Sequence, residues 1–205
     1  MSIAICIPSR DHVNIGFARC LANLTSRLAK QGIEHEVIVS LGSVLPQLRT
    51  DIAKTAMLKN YDWLLWLDSD MHFPDNVVEK LRSHHAHIVA ATYSTRSSPQ
   101  RSVAFNDLDN TEDRLASGTG LHQVAAVGMG CMLVHRSVYE KIPEPWYSHL
   151  WNNETKTFSG EDVYFCHLAG TYDIKVHVDL DLSKELAHYG TKAYLLQETQ
   201  DFIRE

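Results

Sequence analysis

Two aspartates separated by one serine, Asp68-Ser69-Asp70, close an apolar run that begins at Trp63. Side by side their charges repel, so something positive is expected beside them. The small Ser69 lets the backbone turn, and carboxylates two apart can point to one side. Hard carboxylate oxygens suit Mg²⁺ or Mn²⁺. A divalent ion held there can bridge a diphosphate and accept the charge that builds on it as it leaves. The alternative is a pair of solvated turn aspartates, since Asp is common in turns. Their position after a strand-like Trp63-Leu-Leu-Trp-Leu67 run favours the metal.

A second acidic pair, Glu161-Asp162, follows Ser159-Gly160. Acids in the first turn of a helix complement its macrodipole, which is one reading. The other is that a carboxylate near a sugar or hydroxyl nucleophile serves as general base. Positive charge for a diphosphate has candidates in Arg10, Arg49, Arg96 and Arg101, because arginine suits bidentate phosphate contacts. Each is otherwise a surface arginine. Of the 12 histidines, most must be structural or at the surface, and His84, His85 and His87 cluster at a helix end. Trp146, Tyr147 and Trp151 lie in PEPWYSHLW, where they offer either a stacking surface for a sugar or aromatics packed on the core.

The elements that must position these groups alternate in type. Residues 2–8, 35–41, 62–67 and 87–92 read as strands. Between them Phe17, Leu21, Leu24 and Leu28, then Leu45, Leu48, Ile52 and Ala56, recur at helical spacing. Pro74 opens a third helix with Val77, Val78 and Leu81 on its inner face. This rhythm predicts an α/β domain, a mostly parallel sheet flanked by helices. Ligands bind outside the carboxyl ends of such strands, where Pro8-Ser9-Arg10-Asp11, Ser40 and Asp68-Ser69-Asp70 all fall.

From residue 94 to 120 the chain is polar, a long loop or irregular hairpin of the kind that serves as a lid or binding element. Residues 123–136 return to strand, interrupted by Gly128 and Gly130, and 136–142 read as a short helix. A helix over 161–169, a strand over 174–179 and a closing helix over 192–203 complete the expectation.

Bulk properties agree with one soluble domain. The chain has 205 residues and a net charge of −6, which argues against a broad nucleic-acid or anionic-membrane surface. Cys6, Cys20, Cys131 and Cys166 form no CxxC pair and read as small buried hydrophobes. No run reaches the ~18 apolar residues of a membrane span and no secretion signal opens the chain, so the cytoplasm is the expected compartment.

Taken together, the stretches AICIPSRD, LPQLRTDIAKTAM, YDWLLWLDSDMHFPDNVVEKL, VGMGCMLVHRSVYEKI and FSGEDVYFC resemble the GT-A fold glycosyltransferases. The family 2-like group and its small phage or bacterial members are the nearest in pattern. The resemblance spans residues 2–190 and rests on the order and spacing of the elements. It implies a GT-A type (Rossmann-like) single catalytic domain over 1–205, with a nucleotide-binding half at 1–95 and an acceptor half at 96–205. It implies a nucleotide-sugar donor, with UDP as the expected nucleotide, a Mn²⁺ or Mg²⁺ ion, and a glycan, small molecule or protein as acceptor.

By the same resemblance Pro8, Ser9, Arg10, Ser40, Arg49, Asp68, Ser69 and Arg96 would contact the donor. Asp68, Asp70 and His188 would hold the metal, and, if the enzyme inverts, Asp162 would be the base with Glu161 assisting or binding acceptor; retaining transferases share the fold, so the acidic pair does not settle the stereochemistry. Ser40 stands where many members carry an aspartate that reads uracil. Two rivals remain. A nucleotidyltransferase would carry a glycine-rich loop after the first strand, which IPSRDHVNIGF lacks. A non-catalytic nucleotide- or sugar-binding module of the same fold stays open.

Overall fold

The computed structural model describes residues 1–110, 112–152 and 156–190. In chain order its elements begin with β1 (Ser2–Ser9), α1 (Ile15–Lys30), β2 (Glu34–Leu41), α2 (Leu45–Leu58) and β3 (Trp63–Leu67). There follow β4 (Met71–His72), α3 (Val77–Arg82), β5 (Ile88–Ala90), β6 (Ala104–Phe105), β7 (Leu121–Val124) and β8 (Ala126–Val127). Next are β9 (Cys131–His135), α4 (Arg136–Lys141), β10 (Trp151–Asn152) and β11 (Thr157–Phe158). The chain continues through α5 (Glu161–Thr171), β12 (Val176–Asp179), α6 (Leu180–Ser183) and β13 (Ala187–His188). The expected closing helix at 192–203 lies outside the described residues.

Local chemistry sets the first elements. The β1 run from Ile3 to Ile7 is buried throughout, as a central strand covered on both faces must be. Asn14 caps α1 by accepting a hydrogen bond from the Gly16 backbone N–H at 2.7 Å. Phe17, Cys20, Leu24 and Leu28 then bury one stripe of that helix. Pro46 in the first turn starts α2, whose buried face carries Leu48, Ile52, Ala53 and Ala56 but also Arg49.

The main sheet has seven strands in the order β2-β1-β3-β9-β5-β12-β7. Strands β2, β1, β3, β5 and β12 share one direction, while β9 and β7 run against their neighbours. The sheet is therefore mainly parallel. Its two faces are covered separately, one around Phe17, Leu24, Leu65 and Phe73, the other around Ile52, Trp66, Tyr139 and Phe165. Full burial of a side chain the size of Phe is worth about 1.5–3 kcal/mol, so these aromatics anchor both layers. All four cysteines are free and buried, as their apolar surroundings suggested.

One expectation changes here. The single interrupted strand expected at 123–136 is three strands, and β9 inserts antiparallel between β3 and β5. The break falls at Gly128-Met129-Gly130, where the chain leaves the small β6–β8 pairing and enters the main sheet. The polar 94–120 segment is an irregular hairpin, with bridges between Ser94 and Ser102 and between Phe105 and Arg114. A last short pairing, β13 against β4, sets His188 opposite Met71 and thus beside the Asp68-Ser69-Asp70 turn.

Candidate active site

Strand β3 ends at Leu67, and the chain turns at once: the Met71 backbone N–H donates to the Asp68 carbonyl at 3.1 Å. The Asp68 N–H donates to the Gly130 carbonyl, also at 3.1 Å, which ties the turn to the start of β9. Both aspartates meet positive charge, but from different sources. Asp68 Oδ1 accepts from Arg49 Nη2 at 2.9 Å. Asp70 Oδ2 lies 2.8 Å from Arg96 Nη1 and 3.5 Å from His188 Nε2.

Arg49 is 1% exposed and spans two acids, because its Nε donates to Glu161 Oε1 at 2.9 Å. The guanidinium also packs over the Trp66 ring, 5.4 Å from the centroid, a cation–π contact. Burial by itself would lower the Arg49 pKa, but the charges of Asp68 and Glu161 outweigh it and hold the group above its ordinary value. So the arginine read as a diphosphate contact is committed to a buried bridge between the two acidic motifs. The reason is its place on the inner face of α2.

Glu161 and Asp162 open α5, and Gly160 makes room for them. A Cβ at Gly160 would sit 2.3 Å from Asp162 Oδ1. The Asp162 carboxylate folds back over the helix start and accepts from the Val163 N–H at 2.8 Å. Its pKa is pushed up to about 6, first by burial and then by the neighbouring Glu161 charge. Arg49 is spent on Asp68 and Glu161, which leaves Asp162 as the under-compensated member of the group.

On the solvent side, His188 has a defined orientation. Its Nδ1 lies 2.9 Å from the Ser94 carbonyl, which can only accept, so Nδ1 carries the proton and Nε2 faces Asp70. The Asp70 hydrogen bond raises the His188 pKa against the effect of burial. Burial pulls the Asp70 carboxyl upward, yet His188 and Arg96 prevail and hold it below its ordinary value. A carboxylate oxygen and an imidazole nitrogen so presented form a donor set that fits Mn²⁺. Among the described residues no three His, Cys, Asp or Glu side chains are already gathered as a metal-holding cluster.

Asp68, Asp70, Arg96 and His188 border an open cleft of about 330 Å³ at the carboxyl ends of β1 and β3. Of the residues singled out from sequence, Pro8, Ser9, Arg10, Asp68, Ser69, Asp70, Arg96 and His188 line it together. Ser40, Arg49, Glu161 and Asp162 are not among the lining residues. Ser40 pairs with Pro8 in the sheet, and the loop after it supplies Gly42 and Ser43 instead. Those two were missed, although a Gly-Ser pair closing a strand is a visible turn signal. Arg101 pairs with Glu112 on the hairpin, away from the cleft lining. Trp146 and Tyr147 are buried, Tyr147 stacking on Phe165, whereas Trp151 is 48% exposed.

No family model matches the chain, and no curated protein matches it. Solved structures do. The A197 protein from STIV has a TM-score of 0.61 at 18% identity, over 98% of this chain and 100% of that one. A mutant of Drosophila beta-1,4-galactosyltransferase 7 in complex with manganese, UDP-Gal and xylobiose has a TM-score of 0.51 at 15% identity, over 96% of this chain and 78% of that one. No helix among the described residues is long and apolar enough to cross a membrane. At such identities the likeness is one of fold: a mixed α/β domain with a mainly parallel seven-stranded sheet flanked by helices, similar to that of the galactosyltransferase.

Proposed function

We propose that this chain is a metal-dependent glycosyltransferase that moves a sugar from a nucleoside-diphosphate sugar, UDP-linked by expectation, to an acceptor hydroxyl. One observation carries the reading: the Arg49 guanidinium joins Asp68 to Glu161, so that the two acidic motifs form one connected centre. In each motif one acid is locked by Arg49 and its neighbour, Asp70 or Asp162, is left for chemistry. The galactosyltransferase of like fold was crystallised with manganese and UDP-Gal, which supports the same assignment here.

In this reading Pro8, Ser9, Gly42 and Ser43 border the nucleotide, and Arg10 and Arg96 meet the diphosphate oxygens. Asp70 and His188 would hold Mn²⁺ or Mg²⁺, while Arg49 keeps the Asp68 carboxylate in place. A bound divalent ion supplies charge neutralisation to the departing nucleoside diphosphate. Asp162 takes the proton of the acceptor hydroxyl as its oxygen attacks the anomeric carbon with inversion. A carboxylate with a pKa near 6 is ionised at neutral pH yet more basic than an ordinary one, which suits a general base.

A panel of UDP-, GDP- and TDP-sugars with Mn²⁺, read as release of nucleoside diphosphate, tests the proposal. Metal-dependent turnover lost in Asp70→Ala is the expected result. Calorimetric binding of UDP plus Mn²⁺ with no turnover on any donor would point instead to a non-catalytic binding module. No nucleotide binding at all would remove both readings.

A further inference from the structure

Gly128-Met129-Gly130 is a sequence feature near the cleft that the proposed function leaves without a part. Neither glycine has a positive φ, so the backbone conformation does not call for glycine there. Space does. A Cβ on Gly128 would lie 2.7 Å from the Tyr93 hydroxyl oxygen, and one on Gly130 would lie 2.7 Å from both Tyr93 Cζ and that oxygen. Real Cβ atoms do not approach so closely; at Gly130 all three nearest atoms belong to Tyr93, and at Gly128 a Val103 methyl at 2.9 Å closes the other side, neither being the loose end of a flexible chain. Met129 between them is fully buried. The G-x-G is thus a socket that admits one tyrosine ring.

Tyr93 in turn touches His188. The two rings meet edge to face, with centroids 5.1 Å apart and planes at 76°. The next residue supplies the Ser94 carbonyl that accepts from His188 Nδ1. Gly130 closes the circuit: its N–H donates to the Tyr93 hydroxyl at 3.2 Å, and its carbonyl accepts from the Asp68 N–H at 3.1 Å. One glycine therefore holds the Asp68-Ser69-Asp70 turn through its carbonyl and, through its N–H, the ring that packs on His188. An aromatic pair alone is ordinary packing; a pair whose neighbouring carbonyl also fixes the tautomer is a constraint on direction.

We propose that Tyr93, seated in the Gly128/Gly130 socket, is a positioning residue that fixes the ring angle and the Nδ1–H tautomer of His188 relative to Asp70. The tautomer part stands by itself, while the consequence for metal rests on the proposed function. Gly130→Ala forces the ring out of its socket, and Tyr93→Leu removes the ring without demanding extra room. Tyr93→Phe keeps the ring and should preserve the orientation.

Two measurements on the full chain decide the matter. The first is the His188 imidazole ¹⁵N spectrum of the metal-free protein at alkaline pH. Wild type and Tyr93→Phe are expected to show the single Nδ1–H tautomer, and Gly130→Ala and Tyr93→Leu a mixture. The second is Mn²⁺ affinity by electron paramagnetic resonance, expected to fall about ten-fold in those two variants, the loss typical of disturbing a ligand's support. If Gly130→Ala does not fold, Tyr93→Leu carries both readouts. Folded variants that keep the wild-type tautomer and affinity would overturn the inference and leave Tyr93 as core packing. Should wild type itself bind no Mn²⁺, the functional reading fails, and the tautomer spectrum still judges Tyr93.

Discussion

Asp68 and Asp70 stand two residues apart, yet Asp68 meets a guanidinium that is 1% exposed and Asp70 one that is 54% exposed. The same charge pairing serves opposite ends in the two surroundings. In the dry pocket Arg49 has no water to fall back on, and the buried Glu161 carboxylate it holds would be costly to leave unpaired. In the wet cleft the Arg96–Asp70 pair is screened and can be exchanged for another cation at little cost. The acidic pair at α5 divides likewise: Glu161 is spent on Arg49, and Asp162 keeps an under-compensated charge. The site is built from a fixed half and an exchangeable half, each drawing one residue from each motif.

The sharpest test of that division is to remove each arginine in turn. Arg49→Met should cost about 3 kcal/mol of stability in urea unfolding, because it strands the buried Glu161 carboxylate and also leaves Asp68 at the cleft wall without its partner. Arg96→Met should change stability by less than about 1 kcal/mol. Comparable losses from the two would break the comparison. Asp70→Ala reverses the pattern on the activity side. It should leave unfolding nearly unchanged while lowering metal-dependent turnover on the order of a thousand-fold, the several kcal/mol that a lost metal contact represents.

Asp162 links the halves through pH. Its folded pKa is about 6 against an ordinary 3.8. Because the folded value is the higher, the protonated carboxyl adds stability in acid, and that contribution is lost as pH rises through about 6. Above that point the buried charge weighs on the fold by ~2 kcal/mol, less than the full gap implies because some solvent reaches it. Asp162→Asn should therefore melt higher than wild type at mildly alkaline pH, and the advantage should shrink on acidification below about 6. The same variant should lose transfer, and wild-type turnover should fall as pH drops through that value. A variant no more stable than wild type at alkaline pH would deny the under-compensated charge.

Much of the exchangeable half was legible in the residues, and little of the fixed half. Strand ends and turn residues mark where ligands gather in a parallel sheet, so Pro8–Arg10 and Asp68–Asp70 could be placed from apolar runs alone. Arg96 and His188 reach the cleft through the hairpin and the β4–β13 pairing. Arg49 was readable in hindsight. It lies on the same helical stripe as Ile52, Ala53 and Ala56, and an arginine on a buried stripe needs buried acids rather than a solvent-facing phosphate. The insertion of β9 between β3 and β5 was not readable, because a strand's partner is decided by tertiary packing and not by its own alternation. Tyr93 carried no local mark either; the signal lay 35 and 37 residues on, in glycines whose spacing matched the two-residue period of an extended chain.

The smallest expected effect is also the most discriminating for the exchangeable half. Arg96 occupies the Asp70 oxygen that a divalent ion would need, and its Nη1 also donates to the Tyr189 carbonyl at 3.3 Å. Under the proposed function, a cation held at Asp70 would repel the guanidinium and free it for a diphosphate. Arg96→Ala should then bind Mn²⁺ alone a few-fold more tightly than wild type, since no resident cation has to leave. The same variant should bind the nucleotide with Mn²⁺ roughly ten-fold more weakly, for want of a charge-assisted phosphate contact. Calorimetry on both ligands reads the two signs. If the two affinities move in the same direction, Arg96 is a fixed partner like Arg49, and the distinction between the wet and dry halves fails at the point where it matters for the donor.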